Sequence, residues 1–175
     1  MRRTLVLALG LMVVPAMASA QVELGFDFFG VTYNDTDGAQ DATIGVSLPL
    51  SGLRVGFMAG PQMIIETRMG FDWEKEGDAS GRSLTLVPGL NYLVNDQIYV
   101  RGEAGLENFS FDNGAGTSFS GTQYVFGAGL GTRRPFGMGI LRLEAGVQKA
   151  LENTNDGIPS SLNIYGSAGA SIAIN

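Results

Sequence analysis

Cysteine and histidine are both absent from this 175-residue chain. The first absence excludes disulfides and thiolate metal sites. The second removes every histidine-dependent acyl-transfer, lipase or protease mechanism, and together they remove most transition-metal sites. Lysine is confined to Lys75 and Lys149, and there is a single tryptophan. Leaving out Arg2 and Arg3, nine cations face 17 acids, a net charge of −8 that argues against nucleic acid as a partner. Glycine is abundant, at 26 residues, but has no three-residue period, so collagen is excluded. Beyond residue 20 no stretch approaches the roughly 20 apolar residues of a transmembrane helix.

The opening segment has its own grammar. Met1-Arg2-Arg3 is basic, Thr4 to Val14 is apolar, and a small-residue region from Pro15 ends Ala18-Ser19-Ala20. This reads as a secretory signal peptide with an A-x-A cleavage site over residues 1–20, too short to span a bilayer as an anchor. No cysteine follows it, so a lipid-anchored lipoprotein is excluded. The expected mature domain is residues 21–175.

What that domain does contain is alternation with a period of two, the mark of strands with two unlike faces. Around a turn at Gly60-Pro61-Gln62, Val55 and Phe57 alternate with Arg54 and Gly56, and Ile65 and Phe71 alternate with Glu66, Arg68 and Asp72. The same rule sets Leu24, Phe26 and Phe28 against Glu23, Asp27 and Phe29. It sets Leu86 and Leu90 against Val87 and Asn91, and Val100 against Tyr99, Arg101, Glu103 and Glu107. Phe126 and Leu130 oppose glycines, Leu143 and Val147 oppose Arg142 and Glu144, and Ile164 and Ile172 oppose Tyr165 and Ser171. No amphipathic helix is evident. Tight turns at Gly60–Gln62, Asn95-Asp96 and Arg133–Met138 alternate with longer loops at Asn34–Leu48, Glu76–Arg82, Asp112–Ser118 and Glu152–Ser160, which describes an up-and-down meander. Thr43 to Leu50 also alternates and is a candidate ninth strand, with Ser51-Gly52 as its hairpin turn. Matching strand lengths across the turn at Pro61 nevertheless assigns Asn34–Leu48 to the first long loop, as a protruding strand edge, and leaves eight strands.

An even count lets the last strand close antiparallel onto the first, so no edge remains. A dozen residues at ~3.3 Å each, tilted about 45°, give a height of roughly 28 Å, the apolar band of a bilayer. The expected fold is therefore all-β, an eight-stranded antiparallel up-and-down transmembrane β-barrel. A soluble barrel would bury the apolar row and a membrane barrel would turn it outward. Three features favour the membrane. The polar row is rich in glycine and poor in lysine, as a narrow bore requires. Its charges are mixed and pairable, with Arg54, Arg68, Arg101 and Arg142 against Glu23, Glu66, Glu103, Glu107 and Glu144. Aromatics such as Phe71, Trp73, Tyr92, Tyr124 and Phe126 gather near strand ends. Leu24, Phe26, Val55, Phe57, Ile65, Phe71, Leu86, Leu90, Val100, Phe126, Leu130, Leu143, Val147, Ile164 and Ile172 are the expected lipid-facing set.

The stretches LRVGFMAGPQMIIETRMGF, LTLVPGLNYLVNDQIYVRGEAGL and LRLEAGVQKAL resemble the small eight-stranded outer-membrane barrels of the OmpA/OmpX type. That resemblance implies a monomer in the outer membrane, with short turns in the periplasm and long loops outside. It implies lipid, lipopolysaccharide and the outer-membrane assembly machinery as partners. One departure is the C-terminus, Ile172-Ala173-Ile174-Asn175, which lacks the family's usual final aromatic.

Candidate chemistry is limited to the polar row. Glu66-Thr67-Arg68, Arg101-Gly102-Glu103 and Arg142-Leu143-Glu144 each place an acid and an arginine two residues apart on one face. Carboxylate pairs can do acid–base work, but a structural ion-pair network that fills the lumen is the reading adopted. The acids at Asp35, Asp37 and Asp41, and at Glu74, Glu76 and Asp78, follow no EF-hand spacing. Gly127 to Gly131 lies in a strand with no helix after it, so a phosphate loop fails its context. The expectation is no enzyme, no metal and no cofactor: a structural or interaction barrel acting through its outer loops. A small-solute or ion pore, and a soluble periplasmic lipocalin-like carrier, stand as the alternatives.

Overall fold

The computed structural model describes residues 21–39, 41–47 and 52–174. Residues 1–20, on which the signal-peptide expectation falls, lie outside them, as do Gln40, Leu48 to Ser51 and Asn175. Nine strand segments are present: β1 (Val22–Thr36), β2 (Thr43–Ser47), β3 (Gly52–Gly60), β4 (Met63–Glu76), β5 (Ala79–Leu93), β6 (Ile98–Asp112), β7 (Ser118–Phe136), β8 (Gly139–Ala150) and β9 (Ser161–Ile174). They form one antiparallel sheet that closes through β1 and β9, from Val22↔Ile174 to Thr36↔Ser161. Closure leaves the backbone donors and acceptors paired within the sheet, the condition for strands in hydrocarbon.

The barrel has eight positions around its axis because β2 and β3 share one of them. Both pair with the same edge of β1: β3 with Val22–Asp27 and β2 with Gly30–Asn34. This corrects the assignment of Asn34–Leu48 to a loop. β9 accompanies β1 as far as Thr36, so the opposite edge of β1 beyond Asp27 also needs a partner, and Thr43–Ser47 supplies it. The second long loop is corrected as well. β4 and β5 continue in register to Glu76↔Ala79, leaving only Gly77-Asp78 as a turn, with Gly77 at a φ of 59° that favours glycine. The two ends of the barrel thus differ by strand extension as much as by loop length.

The faces divide by charge in the inside-out sense. Arg54, Arg101 and Glu66 are no more than 2% exposed, whereas Leu53, Leu130 and Leu143 are 57–60% exposed. Within the expected lipid-facing set, Leu24, Phe26, Phe71, Leu86, Leu90, Val100, Phe126, Val147, Ile164 and Ile172 are likewise exposed, and Val55 and Ile65 are half-buried. Phe57 departs from this: it lies on the outward row but is covered, at 8% exposure. One local reversal was hidden in the alternation. The β1–β9 register shifts between Asp27 and Phe29, a bulge that inserts Phe28 as an extra residue. Phe26, Phe28 and Phe29 are therefore all exposed, and Phe29 is not lumenal. The inner row continues instead through Gly30 and Thr32, which line the interior cavity.

A charge placed on the outward row tests this division. Leu130→Arg is expected to lower the unfolding free energy in lipid vesicles by about 2–4 kcal/mol, measured by urea titration. An unchanged midpoint would put that row in water.

Candidate functional site

The inner row converges on a plug that occupies the turn-end half of the bore. Its first layer is apolar: Ile64, Leu93 and Tyr99 are buried together, with Met58 packed against them. All four sit on the inner row close to the turns. Above them comes a single connected set of charges. Arg54 reaches Asp27 at 2.9 Å, Glu66 at 3.0 Å and Glu144 at 3.1 Å. Arg101 reaches Glu66 at 2.7 Å and Glu103 at 2.5 Å. Arg142 bridges Glu66 and, at 3.3 Å, Glu23, which also pairs with Arg133 at 2.6 Å. Arg68 pairs with Glu103 and lies 3.6 Å from Glu144.

Five arginines meet five carboxylates, so the plug is neutral. Glu66 is its hub, since Arg54, Arg101 and Arg142 all converge on it. Guanidinium groups suit this role because each presents several donors in a rigid plane and stays charged when buried. Neutral groups complete the acceptor sites. The Tyr99 and Tyr165 hydroxyls donate to Glu144 at 2.6 and 3.0 Å, Ser171 donates to Glu23 at 2.5 Å, and Gln148 donates to Glu103 at 2.6 Å. The same two tyrosines lie beneath guanidinium planes: Arg68 is 4.9 Å from the Tyr165 ring centroid and Arg142 is 5.2 Å from that of Tyr99.

Glycine makes the packing possible. A Cβ at Gly131 would lie 2.2 Å from the Tyr99 ring, and one at Gly89 would lie 2.8 Å from the Arg101 guanidinium carbon. A Cβ at Gly146 would lie 2.6 Å from the Tyr165 hydroxyl. The inner-row glycines are thus the sockets into which the large side chains of neighbouring strands fit.

Of the nine charges expected in the lumen, Glu23, Arg54, Glu66, Arg68, Arg101, Glu103, Arg142 and Glu144 are brought together here. Glu107 is not. It lies further along β6 and forms no ion pair among the described residues. Asp27, Arg133, Tyr99 and Tyr165 are members that the sequence reading left out. Asp27, Tyr99 and Tyr165 already stood on the polar rows of their strands, so alternation alone would have found them. Arg133 was assigned to a turn, but β7 runs on to Phe136.

Above the plug, toward the long-loop end, a cavity of about 420 Å³ remains, lined among others by Thr32, Arg68, Asp72, Thr85, Glu107, Gln148 and Tyr165. At its rim the outer connections are tied together. Asp37 receives a hydrogen bond from the Ser160 hydroxyl and lies 3.6 Å from Lys149, which donates to the same hydroxyl at 2.8 Å. Residues 151–160 are pinned to β7 by Gln123 donating to the Pro159 carbonyl at 2.7 Å and Asn153 donating to the Thr122 carbonyl at 2.8 Å.

Two outcomes follow. Arg101→Ala leaves Glu66 and Glu103 short of a buried cation and is expected to cost about 3–5 kcal/mol in urea unfolding, since breaking a buried pair strands its partner. A loss below 1 kcal/mol would remove Arg101 from a structural role. At the rim, the Ser160 hydrogen bond, helped by Lys149, holds the Asp37 carboxyl below its ordinary value of 3.8. A depressed pKa means the tie is fully present above pH 3.8 and lost as pH falls through the lower folded value. The protection factor of the Asp37 amide, whose N–H donates to the Ser160 carbonyl at 2.9 Å, should therefore fall below that pH and hold constant between pH 5 and 8. A protection factor that is flat throughout would contradict it.

No family model matches the chain, and no curated protein does. Solved structures do. The attachment invasion locus protein of Yersinia pestis, Ail, aligns at 14% identity with a TM-score of 0.56, covering 89% of this chain and 97% of that one. Neisserial surface protein A aligns at 11% identity with a TM-score of 0.59, covering 87% and 96%. The outer membrane protein AlkL, solved in lipid bilayers, aligns at 11% identity with a TM-score of 0.52, covering 89% and 90%. At such identities the likeness is one of fold. The chain has the fold of the small eight-stranded outer-membrane β-barrels.

Proposed function

We propose that this protein is an integral outer-membrane barrel that acts as a structural or interaction element through its long-loop end, and not as an enzyme or an open pore. The observation that carries the reading is the neutral plug. Five arginines and five carboxylates fill the turn-end half of the bore, over a stopper of Ile64, Leu93 and Tyr99. A hydrated ion crossing that half would have to displace side chains held by several charge-assisted bonds each.

The same geometry argues against catalysis. Each plug carboxylate is engaged by arginine, and the plug lies behind side chains rather than at a surface where a substrate can meet it. The exposed apolar rows fit outer-membrane lipid, with lipopolysaccharide as the neighbour of the outer leaflet. The assembly machinery is then the partner during insertion, and a monomer suffices because the barrel closes on itself. In this reading the signal peptide directs export, the turns lie in the periplasm, and the long-loop end faces outward. The crystal structure of Ail with the heparin analogue sucrose octasulfate concerns a polyanion. This chain, at a net −8 without Arg2 and Arg3, is a poor match for such a ligand.

Reconstitution in planar bilayers tests the reading. The expected result is a protein that fractionates with the outer membrane, migrates as a compact band that shifts on boiling, and shows no unitary conductance. Regular conductance steps from the unaltered protein would favour the pore instead.

A further inference from the structure

The β6–β7 hairpin reverses its polarity part-way along. Up to Leu106 and Tyr124 its outward row is apolar and its inward row carries Arg101, Glu103 and Gln123. Beyond that point the outward row is Asn108, Ser110, Asp112, Ser118, Ser120 and Thr122. The register is unbroken from Ile98↔Thr132 to Asp112↔Ser118, so the inward row continues as Phe109, Phe111 and Phe119. Phe109 and Phe119 touch, with ring centroids 5.8 Å apart, while Phe111 and Phe119 stay 51% and 42% exposed. An aromatic sheet face is thus turned toward the barrel axis; Ile158 packs over Gly121 beside Phe109, and Phe111 and Phe119 are left open.

Directly below this face, on the same row of β6, Glu107 faces the cavity of about 420 Å³. Asp72 lines it too, and among the described residues its carboxylate accepts a 3.4 Å hydrogen bond from Ser83 and forms no ion pair. Glu107 and Asp72 are the cavity-lining acids that stand outside the plug. Charge is partitioned with them: the plug is balanced and Asp96 offsets Arg134 at the turn end. The whole net −8 of residues 21–175 therefore belongs to the long-loop end.

We propose that the mouth binds a small organic cation with an apolar body, its charged head in the cavity beside Glu107 and Asp72 and its body against the phenyl face. This goes beyond the structural role proposed above and does not depend on what the loop tips meet. The volume is that of a small-molecule site. Phenyl faces attract cations as well as apolar groups. A neutral apolar solute would desolvate two carboxylates without compensation, and an anion would enter against the charge of the whole end.

The test is a chemical-shift titration of the isotope-labelled barrel in maltoside micelles, which carry no quaternary ammonium of their own. The probe is benzyltrimethylammonium, with benzenesulfonate and benzyl alcohol as comparisons. Saturable shifts at Asp72, Glu107, Phe109, Phe111 and Phe119 are expected with the cation alone. The Glu107→Gln/Asp72→Asn double variant should weaken binding at least tenfold, and Phe111→Ser should weaken it independently. Neither touches the plug, so both should keep the heat-shifted band of the intact barrel. No saturable shift, equal binding of benzenesulfonate or benzyl alcohol, or unchanged affinity in both variants would overturn the proposal. So would binding of a cationic peptide at the loop tips with the small cation silent.

Discussion

The structure depends on compensating charge in a place that water does not fill. Once the outward row is apolar, the alternation of a strand leaves the polar row nowhere to go but inward. In an eight-position barrel the bore is too narrow for a water column to solvate ten charged groups. Each must be satisfied by another side chain, and an unmatched one would be costly. The arrangement around Glu66, with three guanidinium groups on one carboxylate and further acids outside them, is the form this takes. Specificity of closure follows, because a register slip of one residue would carry these charges to the outside.

Small residues and large ones are coupled through that plug. The glycines of β7 and β8 are not filler between apolar residues. Gly131 receives the Tyr99 ring, and Gly146 receives the Tyr165 hydroxyl. Both tyrosines donate to Glu144 and both stack beneath an arginine, so the sockets position the acceptor as well as the ring. Glycine content and arginine content in this chain are therefore one feature seen on neighbouring strands.

Much of this was legible in the order of residues, because a period of two survives any uncertainty about strand ends. The membership of Arg54, Arg101 and Arg142 on one row needed nothing else. Three features were not legible. The bulge at Phe28 changes the phase of β1, and the run FDFFG reads as plain alternation unless the β9 register is known. Thr43–Ser47 alternates visibly, but its place beside β1 exists because β1 outlasts β3, a relation between lengths far apart in sequence. Glu107 follows Glu103 on the same row, yet stands above the plug, since the height at which charges from different strands meet depends on the stagger of the barrel. Asp27, Tyr99 and Tyr165 belong to a different class: alternation alone places them on the inner row, where a carboxylate or a phenol is a ready partner for the arginines.

The central claim is that the apolar row faces lipid and the charged row fills a closed interior. Nitroxide scanning of residues 141–148 in β8, in lipid bilayers, tests it most directly. Accessibility to oxygen should peak at positions 141, 143, 145 and 147, while positions 142, 144 and 146 remain shielded from both oxygen and a water-soluble nickel complex. Nickel-accessible odd positions, or even positions open to bulk water, would contradict the account.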